Sequence, residues 1–407
     1  MQAIFCKLSV NHLDFLKISD IIVYIKHKKG KNNMKVKKIF SFKDIDFLLL
    51  ALTLICVIFG TIMIDSAVKS FSGGSSYIII QICAAVAGIF ALFALTVIDY
   101  TKLEKITKII YVLSMLFLFV VLIFGTGREE TGSRSWIRFG PIGIQPAEIV
   151  KIGFIITFSK ACAQFGDELN KFKNIIKLLV HAFFYVVLIM LQPDFGTTMV
   201  FLVIFAGILF AARISYKYIV GTGLCLAAAI PLVWNFFLQE YQKARIRVLF
   251  DPESAPQSDG YHVMQSKIAI GSGGIFGKGL GQGTQTQLDY LPAKHTDFIY
   301  SVVGEELGII GCILVAVLLF ALVLRCLYVA KNAGSRFGSY ICVGVACMFL
   351  AHTFENIGMC LGIMPVTGIP LPFFSYGGSS ILTNLMAIGL VMSVAVRKNK
   401  FTLSERL

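Results

Sequence analysis

Glu148 and Lys151 stand three residues apart in the stretch Gln145-Pro146-Ala147-Glu148-Ile149-Val150-Lys151, where a long apolar run begins. Side chains three apart share one face of a helix. Pro146 suits the first turn, and Glu148 then lies near the positive end of the helix dipole. Ionisable groups inside an apolar helix face a cavity or each other. Two readings stay open: an internal ion pair that neutralises itself, or a pair lining a polar cavity where Lys151 meets an anionic substrate. Trp136 and Arg138 divide in the same way between an interfacial belt and substrate contact.

Asp297 is the other carboxylate placed for chemistry. It sits at the junction between a long polar connection and the apolar run that follows. A carboxylate at the edge of a low-dielectric cavity can take a proton from a hydroxyl. Thr296 and Asp297 equally suit an N-cap, so capping and catalysis both remain. His295 lies two residues away, with no second His or thiol at a metal-ligand spacing. Glu305 and Glu306 follow two to three turns further in, and at least one must face the interior. Asp194, in Gln192-Pro193-Asp194-Phe195-Gly196, reads as a turn and cap. His352, Glu355 and Asn356 form one polar stripe, read as an interhelical hydrogen-bond network.

These residues need elements to hold them, and composition says which. The chain has 407 residues, of which 57% are hydrophobic and only 15% charged, with a mean hydropathy of +0.79. A soluble domain carries about 25% charged residues, and a helix needs about 20 apolar residues to cross a bilayer. The expectation is an all-α polytopic membrane protein with about ten transmembrane helices. They fall near 44–65, 76–98, 109–125, 148–164, 176–192, 196–212, 216–235, 298–324, 338–361 and 380–396.

The net charge of +14 follows the topology and does not indicate a nucleic-acid partner. Lys102, Lys105, Lys108, Lys171, Lys173, Lys177, Arg397, Lys398 and Lys400 gather on alternate connections. The positive-inside rule puts these and both termini in the cytoplasm. Residues 1–43 read as a basic cytoplasmic tail without a signal peptide, of which 1–33 precede the natural-looking start at Met34. Residues 44–400 form the membrane domain, and 401–407 a short cytoplasmic tail. The external loops at 125–148, 235–297 and 362–380 are polar and rich in Gly or Pro. The largest, between helices 7 and 8, exceeds the length usual for a structureless connection. Seven glycines between Gly271 and Gly283 match no nucleotide loop and read instead as tight turns and close backbone approach. The cysteines lie in spans or the tail, which predicts packing and no disulfide framework.

Several motifs in order carry a resemblance: SWIRFGPIGIQPAEIVK at 135–151, LQPDFGTT at 191–198, YQKARIRVLFDPE at 241–253, GYHVMQSKIAIGSGGIFGKG at 260–279, LPAKHTDFIYSVVGEELG at 291–308 and PVTGIPLPFFSYGGSS at 365–380. Over about residues 44–400 the chain resembles the shape, elongation, division and sporulation (SEDS) family, with GTQTQL at 283–288 favouring its elongation branch. The resemblance implies a peptidoglycan glycosyltransferase that polymerises lipid II on the outer face of the bacterial cytoplasmic membrane. It implies a class B penicillin-binding protein as partner. It places the family's essential aspartate on Asp297 and its important Trp, Glu and Lys on Trp136, Glu148 and Lys151. Arg138, His295, Thr296, Glu306, Ser375 and Ser379 are further candidate substrate contacts. Lys151, Arg138, the cluster of Lys243, Arg245 and Arg247, or a divalent cation (Mg or Mn) would meet a leaving pyrophosphate, and Asp297 could hold that cation instead of taking a proton. A lipid-linked precursor flippase and a non-catalytic cell-wall scaffold are the alternatives.

Overall fold

The computed structural model describes residues 44–397, apart from 128–132, 140–141, 252–258 and most of 219–239. The expected seventh span at 216–235 and both tails lie largely or wholly outside the described residues. The remaining expected spans appear as helices. They are α1 (Phe47–Val68), α2 (Gly74–Val97), a short α3 (Tyr100–Lys105), α4 (Thr107–Phe124), α5 (Pro146–Phe165), α6 (Phe172–Met190) and α7 (Phe195–Ala211). After the connection come α11 (Ile299–Lys331), α12 (Arg336–Cys360) and α13 (Gly378–Val396). Eight of these are long and apolar enough to cross a membrane, and α7 is a shorter apolar helix. The chain is a multi-pass membrane protein.

Burial sorts the helices. The apolar window of α13 is 89% buried and that of α12 67%, whereas α4 reaches only 17%. Small residues bring the inner helices together: a Cβ at Gly389 would stand 2.7 Å from Leu92 O, and one at Gly88 2.5 Å from Leu385 Cδ1. Such close approach is how helices associate where lipid is as apolar as leucine. At the basic end, Asp46 caps α1 through Leu49 N at 3.0 Å and also takes the Arg325 guanidinium of α11 at 2.8 Å. Arg397 closes the ends of two helices at once, donating to Thr96 O at 3.0 Å and Ser393 O at 2.8 Å.

Two features depart from the sequence expectation. The 125–148 loop carries an antiparallel hairpin, β1 (Ile137–Phe139) with β2 (Ile142–Ile144). Three-residue strands are too short to leave an alternating pattern. The 235–297 connection contains α8 (Glu240–Phe250), α9 (Asp259–Ser272) and α10 (Thr284–Gln287). α9 and α10 pack on α11, and α8 packs on α9.

α11 breaks at Gly308, whose φ of 67° and ψ of −164° are not helical. The glycine-rich segment after α9 supplies what the break removes. Lys278 N and Gly279 N donate to the freed carbonyls of Glu305 and Glu306, each at 3.0 Å, and Ile309 N donates to Gly274 O at 3.0 Å. Gly277 lies at φ +80°, and a Cβ there would stand 2.2 Å from Glu306 O. Left-handed strain and a backbone clash add, so Gly277→Ala should destabilise the fold by about 3 kcal/mol. A lowered melting temperature in detergent checks this; an unchanged one refutes the plug.

Candidate active site

Asp297 is held by its backbone. Asn356, fully buried on α12, donates both amide hydrogens: one to Asp297 O at 2.7 Å, the other to Ile369 O at 2.8 Å. Gly368, at φ +70°, brings the 365–371 segment close enough that a Cβ there would stand 3.5 Å from Asp297 Oδ2. The N-cap of α11 is Phe298, without a side-chain cap, and Thr296 Oγ1 donates back to Ala293 O at 3.2 Å. The capping reading of Thr296 and Asp297 therefore fails, since the turn at Ala293 puts the helix start one residue later. Asp297 is half-buried. Desolvation raises its carboxyl to about 6, against the opposing charge of Arg245 and a hydrogen bond with Thr296. That is a basicity suited to accepting a proton near neutral pH.

One helical turn away on α12, His352 meets the pair at the head of α5. Lys151 Nζ donates to Glu148 Oε1 at 2.7 Å and to His352 Nε2 at 2.6 Å. An ammonium only donates, so His352 accepts at Nε2 and its Nδ1–H faces Pro370 O at 3.2 Å. Lys151 is 0% exposed and Glu148 2%. Their geometry is that of an internally neutralised pair. Around them stand Glu355, 5% exposed, and Asp194, which caps α7 through Thr197 N at 3.0 Å and accepts Gln145 Nε2 at 3.2 Å. Burial raises the Asp194 carboxyl, against the Thr197 bonds and the charge of Lys151. Glu148 Oε2, Glu355 Oε2 and Thr367 Oγ1 are buried without a hydrogen-bond partner. The stripe on α12 thus bridges Lys151 to Asp297 through Pro370 and Ile369.

The other sequence candidates fall into separate surroundings. Trp136 pairs with Thr126 through the backbone, and its ring lies over Gly143, where a Cβ would stand 3.1 Å from it. Arg138, opposite Gly143 in the hairpin register, is exposed. Ser379 ties that hairpin to α13, accepting from Gln145 N and donating to Gly143 O, each at 3.3 Å. Ser375 Oγ accepts Leu371 N at 2.7 Å and closes the turn before α13. Glu306 takes Ser66 Oγ at 2.5 Å and Gln287 Nε2 at 3.3 Å. Glu305 binds Lys278, Gln285 N and Thr286 within 2.9 Å. Both glutamates face inward and are consumed by the fold. His295 sits among Phe71, Tyr77 and Tyr376, at ring-centroid distances of 5.3, 5.3 and 5.5 Å. Burial, with Lys294 assisting, lowers it to about 4 and keeps it neutral. Lys243, Arg245 and Arg247 share α8, with Arg245 acting on Asp297.

No three His, Cys, Asp or Glu gather into a metal-binding group among the described residues. One carboxylate opposed by a guanidinium does not fit a cation held by protein ligands alone. Asn356 and Gly368 are the residues whose site role the sequence concealed. The polar stripe signalled the first, and the glycine of Pro365-Val366-Thr367-Gly368 signalled the second. If Asn356 positions Asp297, Asn356→Ala should cut turnover about 10- to 100-fold by displacing the carboxylate. Little change in KM is expected, and Asn356→Ala with unchanged turnover refutes the clamp.

Asn356 lies 20 residues beyond Arg336, so at 1.5 Å per residue Asp297 stands about 30 Å from the basic end. That is the far boundary of a bilayer core. A family model described as a cell cycle protein, covering FtsW, RodA and SpoVE, matches residues 46–400. The chain is 37% identical over 294 residues to "Peptidoglycan glycosyltransferase MrdB" of Escherichia coli K12, covering 72% of this chain and 79% of that one. It is 34% identical over 374 residues to "Probable peptidoglycan glycosyltransferase FtsW" of Trichlorobacter lovleyi, covering 88% and 95%. A solved structure described as "Structural coordination of polymerization and crosslinking by a peptidoglycan synthase complex" superposes with a TM-score of 0.75 at 28% identity, covering 87% and 98%. The rod shape determining protein RodA of Thermus thermophilus superposes with a TM-score of 0.66 at 26% identity, covering 87% and 97%.

Proposed function

Because the chain belongs to the FtsW/RodA/SpoVE family, we propose that it is a peptidoglycan glycosyltransferase that polymerises lipid II during cell elongation and shape maintenance. The reaction takes place on the external face of the bacterial cytoplasmic membrane. The observation that carries the reading is Asp297: a half-buried carboxylate with raised basicity, clamped by its backbone at the membrane boundary away from the basic loops. A substrate with a polyprenol tail and a sugar head needs its chemistry at such a boundary.

In the proposed step, Asp297 accepts the proton of the attacking sugar 4-hydroxyl. The oxygen forms a bond to the anomeric carbon of the second lipid-linked disaccharide, and the bond to polyprenyl pyrophosphate breaks with inversion. The leaving pyrophosphate oxygen takes the bonding electron pair and gains one negative charge, on a group already anionic, and needs cations aimed at it. The charge of Arg245 acts on Asp297, with Lys243 and Arg247 on the same helix. Trp136 and Arg138 present the hairpin as the surface for the sugar head. Lys151 and Glu148 support the site from beneath through His352.

A class B penicillin-binding protein is the partner proposed for cross-linking the strands; the superposition on a peptidoglycan synthase complex supports this. The test is glycan formation from purified lipid II in detergent, with and without that partner. Strands in either case support the reading. Polymer in neither case, together with lipid II crossing liposome membranes, replaces it with the flippase alternative.

A further inference from the structure

The glycine-rich segment that plugs α11 has an apolar tip that nothing among the described residues covers. Ile275 is 61% exposed and Phe276 80%, followed by Leu280, Leu288 and Tyr290, all at least half exposed. One ruler places this tip. Arg325 and Glu306 of α11 stand beside the two ends of α1, paired with Asp46 and Ser66. The 20 residues from Asp46 to Ser66 along unbroken α1 measure about 30 Å. That is the thickness of a bilayer core. Ile309 and Ile310, which donate to Gly274 O at 3.0 Å and Ile275 O at 3.3 Å, are 15 to 16 residues from Arg325. They therefore lie about 6–8 Å inside the far boundary.

We propose that residues 273–280 form a re-entrant wedge inserted into the leaflet opposite the basic loops, with Ile275 and Phe276 against lipid acyl chains. Ile309, Ile310, Ile313 and Leu314 of α11, each about half exposed, continue the same apolar surface. Non-helical backbone survives at membrane depth only when its polar groups are satisfied internally. Where the segment turns against α11 its backbone is satisfied in this way: Gly277 N bonds Gly273 O at 2.8 Å, Lys278 N and Gly279 N cap Glu305 and Glu306, and the Gly274 and Ile275 carbonyls are taken by α11. The Lys278 ammonium is paired with Glu305 at 2.8 Å, which removes the one charge next to the tip. Four glycines in these eight residues are the sequence trace of a backbone that must turn tightly against a helix. The wedge closes the lipid side of the helical segment that begins two residues after Asp297, where a polyprenyl chain would have to pass.

The experiment places trifluoromethylphenylalanine at position 276 of the full chain in lipid nanodiscs. Fluorine relaxation is then read with dissolved oxygen, which partitions into lipid, and with a water-soluble nickel chelate. Position 313 serves as the lipid reference and position 72, exposed between α1 and α2, as the aqueous one. The wedge predicts an oxygen-to-chelate ratio at 276 matching 313 and several-fold above 72. A chelate effect equal to that at 72 overturns it, and so does protection from both agents, which would mean a covering protein surface. If position 313 itself reads as aqueous, the membrane placement of the bundle fails instead. The replaced residue is already a phenylalanine, so the probe leaves folding intact.

Discussion

Asp297→Asn should lower the rate of glycan polymerisation by about 10²–10⁴-fold, the range for losing a general base, in a protein that folds normally. The pH dependence gives the prediction its sign. With the carboxyl raised to about 6, the wild-type rate should climb about tenfold per unit as pH rises toward 6, then level off as the base becomes ionised. The residual rate of Asp297→Asn should lack that limb. Stability runs the other way. The folded carboxyl titrates above its ordinary value of 3.8, so the folded state binds the proton more tightly than the unfolded chain does. The contribution of Asp297 is therefore fully present below about 3.8 and is lost as pH rises through about 6. Asn carries no such penalty. Near pH 7.5 the melting temperature of Asp297→Asn should equal or exceed that of the wild type, while near pH 4 the difference should vanish. A normally folded Asp297→Asn with near-normal rate would refute the assignment. A variant that is inactive and also melts earlier at pH 7.5 would make Asp297 a structural residue.

The membrane helices were legible because each is a long run whose pattern survives without knowledge of its neighbours. Phe47–Val68 and Gly74–Val97 need only length and hydropathy. Caps were legible for the same local reason: Pro146 opens α5, and Asp194 caps α7 through Thr197, as their positions predict. Asp297 misled as a cap candidate because capping depends on one residue of register, which the turn at Ala293 sets. The break at Gly308 and the use of Glu305 and Glu306 were not legible. Both depend on a segment about 30 residues earlier folding back to supply donors. The site's assembly was hidden likewise: Asn356 joins Asp297 to Ile369, and His352 joins Lys151 to Pro370. Each partner comes from a different part of the chain. The sequence could show a polar stripe on α12, and only the packing says what each member of it grips.

Lys151 is where chemistry and architecture make opposed predictions. Its ammonium has no exposed surface and is engaged by Glu148 and His352, so removing it leaves the Glu148 carboxylate buried without its cation. Breaking a buried pair from one side costs about 3–5 kcal/mol. Lys151→Ala should therefore lower the melting temperature sharply and abolish polymerisation, an outcome that catalytic and supporting roles share. Replacing the pair by neutral groups of similar size is often close to neutral. The double variant Glu148→Gln with Lys151→Met should thus recover most of the stability. It leaves His352 Nε2 without the lysine donor, a loss of about 1 kcal/mol. If the pair only holds α5 to α12 beneath Asp297, polymerisation in the double variant should return to within about tenfold of wild type, since a small displacement of a catalytic group accounts for the rest. Stability recovered with polymerisation still absent would assign the Lys151 charge to the transition state, acting on the pyrophosphate through its field. The measurement is a pair of readouts on three proteins, melting temperature and strand synthesis. The supporting role requires both to recover together.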